Sequence, residues 1–162
     1  MKKLFLTMFA ACLVFAASAQ IPKGTIMVGG SSNLNFTSNN ADAGDDSDFT
    51  LGAKGGYFFS DNLVGGLNLY YNKYSEATDG TFGIGPFVRY YVNGKIFLGA
   101  GFNSYSSGDF SSSEIPLEVG YAFFLNDVVA LEPELKYSIY GGDADGAAFG
   151  LNVGISVYLG RK

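Results

Sequence analysis

The sequence predicts an all-β fold, an eight-stranded antiparallel up-and-down barrel, and three observations carry that prediction. From Lys23 onward apolar residues recur with a period of two, the signature of strands whose faces meet different surroundings. The repeat falls into eight segments of ten or more residues, whereas soluble strands more often run to about five or six. The connections between them alternate short and long, as in a closed meander.

Residues 1–19 read as a cleaved signal peptide. Lys2 and Lys3 form its charged start, Leu4 to Ala17 its apolar core, and Ala17-Ser18-Ala19 its A-x-A cleavage site. The mature domain then spans 20–162, beginning at Gln20. The one cysteine, Cys12, lies in the leader, so no disulfide is expected. Loss of the two leader lysines takes the formal charge from −5 to −7. Such an acidic chain lacks the basic stripe that a nucleic-acid partner requires.

The predicted strands cover approximately 24–37, 48–59, 63–74, 81–92, 95–105, 114–125, 128–140 and 147–159. The first is the weakest: Ile26, Val28, Leu34 and Phe36 alternate, but Gly30 and Ser32 interrupt their face. The second sets Phe49, Leu51, Ala53, Tyr57 and Phe59 against Thr50, Gly52, Lys54 and Gly56. In the third, Leu63, Leu67, Leu69 and Tyr71 oppose Val64, Gly66, Asn68 and Tyr70. The fourth opposes Phe82, Ile84, Pro86, Val88 and Tyr90 to Gly83, Gly85, Phe87, Arg89 and Tyr91. The fifth carries Gly99, Gly101, Phe97 and Tyr105 on its more polar face. The sixth sets Ile115, Leu117, Val119, Tyr121 and Phe123 against Pro116, Glu118, Gly120 and Ala122. The seventh is clearest, with Val129, Leu131, Pro133, Leu135 and Tyr137 opposite Ala130, Glu132, Glu134 and Lys136. The eighth opposes Phe149, Leu151, Val153, Ile155 and Val157 to Gly150, Asn152, Gly154, Ser156 and Tyr158. Pro86 and Pro133 lack a ladder donor, so bulges are expected beside them.

Short connections are expected at Ser60-Asp61-Asn62, Asn93-Gly94 and Asn126-Asp127. Asn-Gly is the strongest two-residue hairpin signal, since both positions tolerate positive φ. Longer polar loops are expected at 38–47, 75–80, 106–113 and 141–146.

One face of every strand is thus almost purely apolar. A soluble, lipocalin-like barrel would turn it inward around a ligand; a transmembrane barrel would turn it outward. Two features favour the second arrangement. Aromatics on the apolar face cluster near strand ends, as in interfacial girdles, while the midsections carry Leu, Val, Ile, Ala, Gly and Pro. The opposite face has too few charges and too many glycines for a water-exposed surface. Charged residues are 15% of the chain and glycines number 23, against roughly 25% charged in a soluble domain. Small residues there leave room for Tyr70, Phe87, Tyr91, Phe97, Tyr105, Phe124 and Tyr158 inside a narrow barrel.

The interior should therefore hold Lys54, Arg89 and Lys136 with Glu118, Glu132 and Glu134. Unpaired charges buried there would each cost several kcal/mol, to order of magnitude, so the six should form a paired network. The alternative use of the same residues is a narrow, charge-lined path for small solutes. Acids at Asp42, Asp45, Asp46, Asp48, Glu76, Asp79, Asp109, Glu114, Asp143 and Asp145 are assigned to the outer loops. Clusters at 42–48 and 143–146 offer oxygen ligands for divalent cations, although neither has EF-hand spacing. No cofactor or resident metal is expected. Without histidine or a mature cysteine, Ser-His, Cys-His and histidine–metal catalysis are excluded, so the chain does not read as an enzyme.

The Ala-Ser-Ala-Gln junction, Gly-aromatic segments such as Leu51-Gly52-Ala53-Lys54-Gly55-Gly56-Tyr57-Phe58, and the last strand over 149–159 resemble the small bacterial outer-membrane barrels. That group includes the OmpA transmembrane domain, OmpX and OmpW-like proteins. The resemblance spans the mature chain. It implies an outer-membrane location, with short turns periplasmic and long loops outside. It also implies contact with outer-membrane lipid and lipopolysaccharide, handling by the barrel assembly machinery, and a structural, surface-interaction or OmpW-like channel role. Lipid A palmitoyltransferase and lipid A deacylase are similar in outline but depend on histidine. One departure is the C-terminus, where the group usually ends on an aromatic residue and this chain runs Tyr158-Leu159-Gly160-Arg161-Lys162.

Overall fold

A computed structural model describes residues 20–32, 49–73 and 80–161. The signal peptide expected at 1–19, the loop expected at 38–47, nearly all of that expected at 75–80, and Phe36 lie outside the described residues. The described chain forms β1 (Ile26–Ser32), β2 (Phe49–Ser60), β3 (Leu63–Lys73), β4 (Thr81–Val92), β5 (Ile96–Gly101), β6 (Asn103–Ser107), β7 (Phe110–Tyr121), β8 (Phe123–Phe124), β9 (Val129–Gly142) and β10 (Gly146–Leu159). All pairings are antiparallel, and β5 with β6, and β7 with β8, each make one continuous stave. The eight staves follow chain order, and β1 pairs β10 from Ile26↔Leu159 to Ser32↔Val153, which closes the barrel. Closure removes the free edges that an open sheet would expose.

The two prolines interrupt the ladder without shifting it. Phe102 donates its N–H to the Pro86 carbonyl at 3.0 Å, and proline has no N–H to return. The strand assignment breaks there, yet Phe87↔Gly101 and Ile84↔Ser104 share one register. Opposite Pro133 the ladder likewise passes from Gly120↔Glu134 to Phe123↔Leu131 in one register. The bulges expected at these prolines are therefore absent. A register shift occurs instead between Phe58 and Ser60, where β2 approaches its turn.

The turns follow their side chains. Asn93 and Gly94 both have positive φ, at 54° and 66°, as a type I′ hairpin requires. The Asn126 side-chain oxygen accepts the Val128 and Val129 N–H groups at 2.9 and 2.8 Å. The loop expected at 106–113 is a tight hairpin: the strands run to Ser107↔Phe110 around Gly108-Asp109. The five serines of this stretch are held in strand by the backbone ladder rather than by an apolar face. Over 141–146 the strands also close in, leaving Asp143-Ala144-Asp145 between β9 and β10.

The faces divide as the alternation predicts. Ile26, Val28, Leu67, Ile84, Val88, Leu98, Leu117, Leu135, Leu151 and Ile155 point outward and are exposed. Most outward aromatics lie toward the ends, Tyr71, Phe82 and Phe149 on the loop side and Tyr57, Phe59, Tyr90, Tyr121 and Phe123 on the turn side, whereas Phe102, level with Pro86, and Tyr137, opposite Leu117, sit nearer mid-stave. Inside, the turn-side end is filled by Met27, Phe58, Val64, Tyr91, Phe97 and Tyr158, all fully buried. Their rings meet at tilted or edge angles, with centroids 5.5 Å apart for Tyr91–Phe97 and 5.7 Å for Phe58–Tyr91. Glycine provides the sockets. A Cβ on Gly120 would lie 2.3 Å from the Phe97 ring, and one on Gly83 would lie 2.4 Å from the Tyr105 ring.

Candidate functional site

Above the ring layer, alternation on β4 brings Arg89 into the centre of the lumen. Its neighbours across the ladder are Val64 on β3 and Gly99 on β5, so one side of its path is clear of side chain. The guanidinium is 1% exposed and is shared by three carboxylates. One terminal nitrogen donates to Glu118 at 2.7 Å and Glu134 at 3.0 Å; the other donates to Glu132 at 2.9 Å. The plane stacks 3.8 Å from the Phe97 ring centre, which joins the charged layer to the rings beneath.

Each carboxylate has further donors. Lys54 Nζ reaches Glu118 at 3.2 Å and also lies 5.0 Å from the Phe87 ring centre. Asn152 donates to Glu134 at 3.4 Å. Glu132 receives Ser156 Oγ at 2.9 Å and the Tyr158 hydroxyl, and the Tyr158 and Tyr91 hydroxyls lie 2.9 Å apart. These neutral donors matter because hydrogen bonds to an ionised acceptor are roughly twice as strong as neutral ones.

A second cluster lies toward the loop side. Glu114, fully buried, pairs with Lys136 Nζ at 3.3 Å and accepts from Asn103 at 2.9 Å, from Tyr105 and from Ser138. Asn68 extends it by donating to Asn103 at 3.2 Å. All six predicted interior residues thus face the lumen, but in two groups: Lys54, Arg89, Glu118, Glu132 and Glu134 together, and Lys136 apart with Glu114.

The assignment of Glu114 to an outer loop is wrong. It shares the even parity of Glu118 on β7, and extending that parity by two pairs of residues would have found it. Tyr91, Tyr158, Ser156 and Asn152 lie on the face the alternation predicts, Asn103 carries no expectation from the sequence, and the sequence does not show that these five side chains serve as donors. Nothing in their spacing shows which carboxylate across the barrel they meet.

A space of about 10 Å³ beside Lys54, Arg89, Glu132, Glu134 and Ser156 has room for about one water. Arg89 Nε lacks a protein partner. Chemically, these groups hold one another: the carboxylates are bound by cations and hydroxyls rather than set against a nucleophile. Of the acidic loop clusters, 42–48 lies outside the described residues. At the other, Asp143 accepts the Ser111 N–H at 2.9 Å, and no metal-competent group of three His, Cys, Asp or Glu occurs among the described residues.

The sequence matches no family model, and no curated protein is significantly similar. Among solved structures, a similar chain is described as "De novo design of transmembrane beta-barrels". It is 14% identical, with a TM-score of 0.50 over 85% of this chain and 97% of that one. At that identity the likeness concerns the fold.

Proposed function

We propose that this protein is an integral outer-membrane β-barrel that is non-enzymatic and closed by its own side chains. On this reading it serves as a structural element of the membrane or through its acidic loop end. The observation that carries the reading is the inversion of its two faces: aliphatic residues exposed all around the outside, charges sealed within. In water such a belt would far exceed the few hundred Å² of contiguous apolar surface that a soluble monomer usually shows. Against hydrocarbon it is the favoured arrangement, and closure satisfies the backbone groups that lipid cannot. The same inversion counts against a lipocalin-like soluble barrel.

The partners of this reading are outer-membrane lipid, lipopolysaccharide and the barrel assembly machinery, with turns periplasmic and loops outside. An OmpW-like channel is the competing use of the lumen. The packing around Arg89 and the ring layer beneath it favour the closed form. Two measurements test the proposal. Fractionated cells should yield the protein with the outer membrane, showing heat-modifiable gel mobility, and planar bilayers should show no discrete openings. Leu67→Arg, in mid-stave, should destabilise the barrel in lipid by about 2–4 kcal/mol, whereas Leu159→Arg at a stave end should cost about 0–1. Equal tolerance of both, with the protein in the aqueous fraction, overturns the reading.

A further inference from the structure

The turn-side end of the lumen is occupied by a segment that belongs to no strand. Residues 20–24 cross beneath the barrel before β1 begins, and Ile21 is fully buried in the same cluster as Phe58, Val64, Tyr91 and Tyr158. A side chain outside the sheet thus completes the apolar interior. Its backbone is clasped from both directions by Asn62. Ile21 N–H donates to the Asn62 side-chain oxygen at 2.8 Å, and Asn62 N–H donates to the Ile21 carbonyl at 2.9 Å. Lys23 N–H donates to Asp61 at 2.8 Å, and Gly24 N–H donates to the Phe58 carbonyl at 2.9 Å. Gly24, at a φ of 92°, then turns the chain up into β1.

The β2–β3 turn is shaped to receive this segment. Asn62 has a φ of 61°, a conformation that asparagine tolerates better than most residues. In it the buried side chain meets Ile21 while the Asn62 carbonyl accepts the Tyr91 N–H at 2.8 Å. The receptacle therefore joins the segment to the stave that carries both Tyr91 and Arg89.

We propose that residues 20–24 form a stopper that closes the turn-side mouth, with Ile21 as its plug and Asp61 and Asn62 as its latch. The stopper keeps water from the ring layer and so from the Arg89 carboxylates above it. The lumen is then a cup closed at the turn side. Lys54 and Lys136, with side chains 12% and 15% exposed against 1% for Arg89, are its more accessible charges.

A thiol reporter tests the stopper. In a full chain carrying Cys12→Ser, Val64→Cys places one thiol in the sealed layer. A small water-soluble methanethiosulfonate should label it slowly in the folded barrel. Ile21→Gly, which removes the plug, and Asn62→Gly, which keeps the turn but removes the side-chain acceptor, should each raise the rate by about tenfold or more through local opening. Heat-modifiable mobility of the same samples shows that the barrel is intact, and Asn62→Gly carries the test if Ile21→Gly does not fold. Unchanged labelling in an intact barrel overturns the proposal, as does labelling of the unaltered stopper at the rate of urea-unfolded chain. The contrast does not depend on membrane insertion, because detergent partitioning of each sample reads that separately.

Discussion

The ring layer and the charged layer of the lumen occupy neighbouring levels of one scaffold, yet they are held in different ways. In the ring layer, Phe58, Tyr91, Phe97 and Tyr158 meet at tilted or edge angles, and apart from the two tyrosine hydroxyls their contacts are between apolar ring atoms. In the charged layer, among the described residues, Arg89 is the one cation paired with all of Glu118, Glu132 and Glu134. Loss of one apolar side chain leaves a gap, but loss of one charge leaves its partners uncompensated. The lesson is that dispersion is spread over many atoms, whereas a buried charge network concentrates its risk in one residue.

The largest expected effect therefore falls on Arg89. Arg89→Met should lower stability by about 5 kcal/mol, the upper range for breaking a buried pair, read from urea-unfolding midpoints in lipid vesicles. Adding Glu132→Gln should recover part of that loss, and strict additivity of the two changes would break the network description. Phe58→Ala comes next, at about 3 kcal/mol, because Tyr91 and Tyr158 can lean into part of the space. A Phe58→Ala loss exceeding that of Arg89→Met would reverse the comparison.

Tyr158 belongs to both layers, its ring packing below and its hydroxyl meeting Glu132 above. Tyr158→Phe keeps the ring, so the expected loss of about 1–2 kcal/mol measures the hydroxyl alone. The smallest effect is expected at Lys136→Met, about 1 kcal/mol, since Glu114 keeps Asn103, Tyr105 and Ser138. A loss as large as that of Arg89→Met would show that the loop-side cluster is not the more tolerant of the two.

Much of this arrangement was legible in order along the chain. Period-two alternation put Lys54, Arg89, Glu118, Glu132, Glu134 and Lys136 on one face, because successive side chains in a strand must point to opposite sides. Asn93-Gly94 declared its hairpin through its tolerance of positive φ. Where structure departs from sequence expectation, composition is the misleading signal. Serines at 111–113 suggest a loop and make the adjoining Glu114 look like a solvated acid, but the ladder carries all four in β7. Pro86 and Pro133 suggested bulges, but a missing donor can be absorbed as one unmade hydrogen bond while the register continues.

By itself the sequence determined which residues share a face, where the hairpins turn and which face is fit for hydrocarbon, since these depend on near neighbours and backbone geometry. Only the closed barrel decided which charge meets which: Lys54 reaches Glu118 from across the lumen, and Lys136 turns to Glu114 instead of its own neighbour Glu134. It also decided that Ile21, just before the first strand, fills the mouth held by Asn62. Those pairings span tens of residues of chain, and their geometry exists only once tilt and register bring distant staves to a common level.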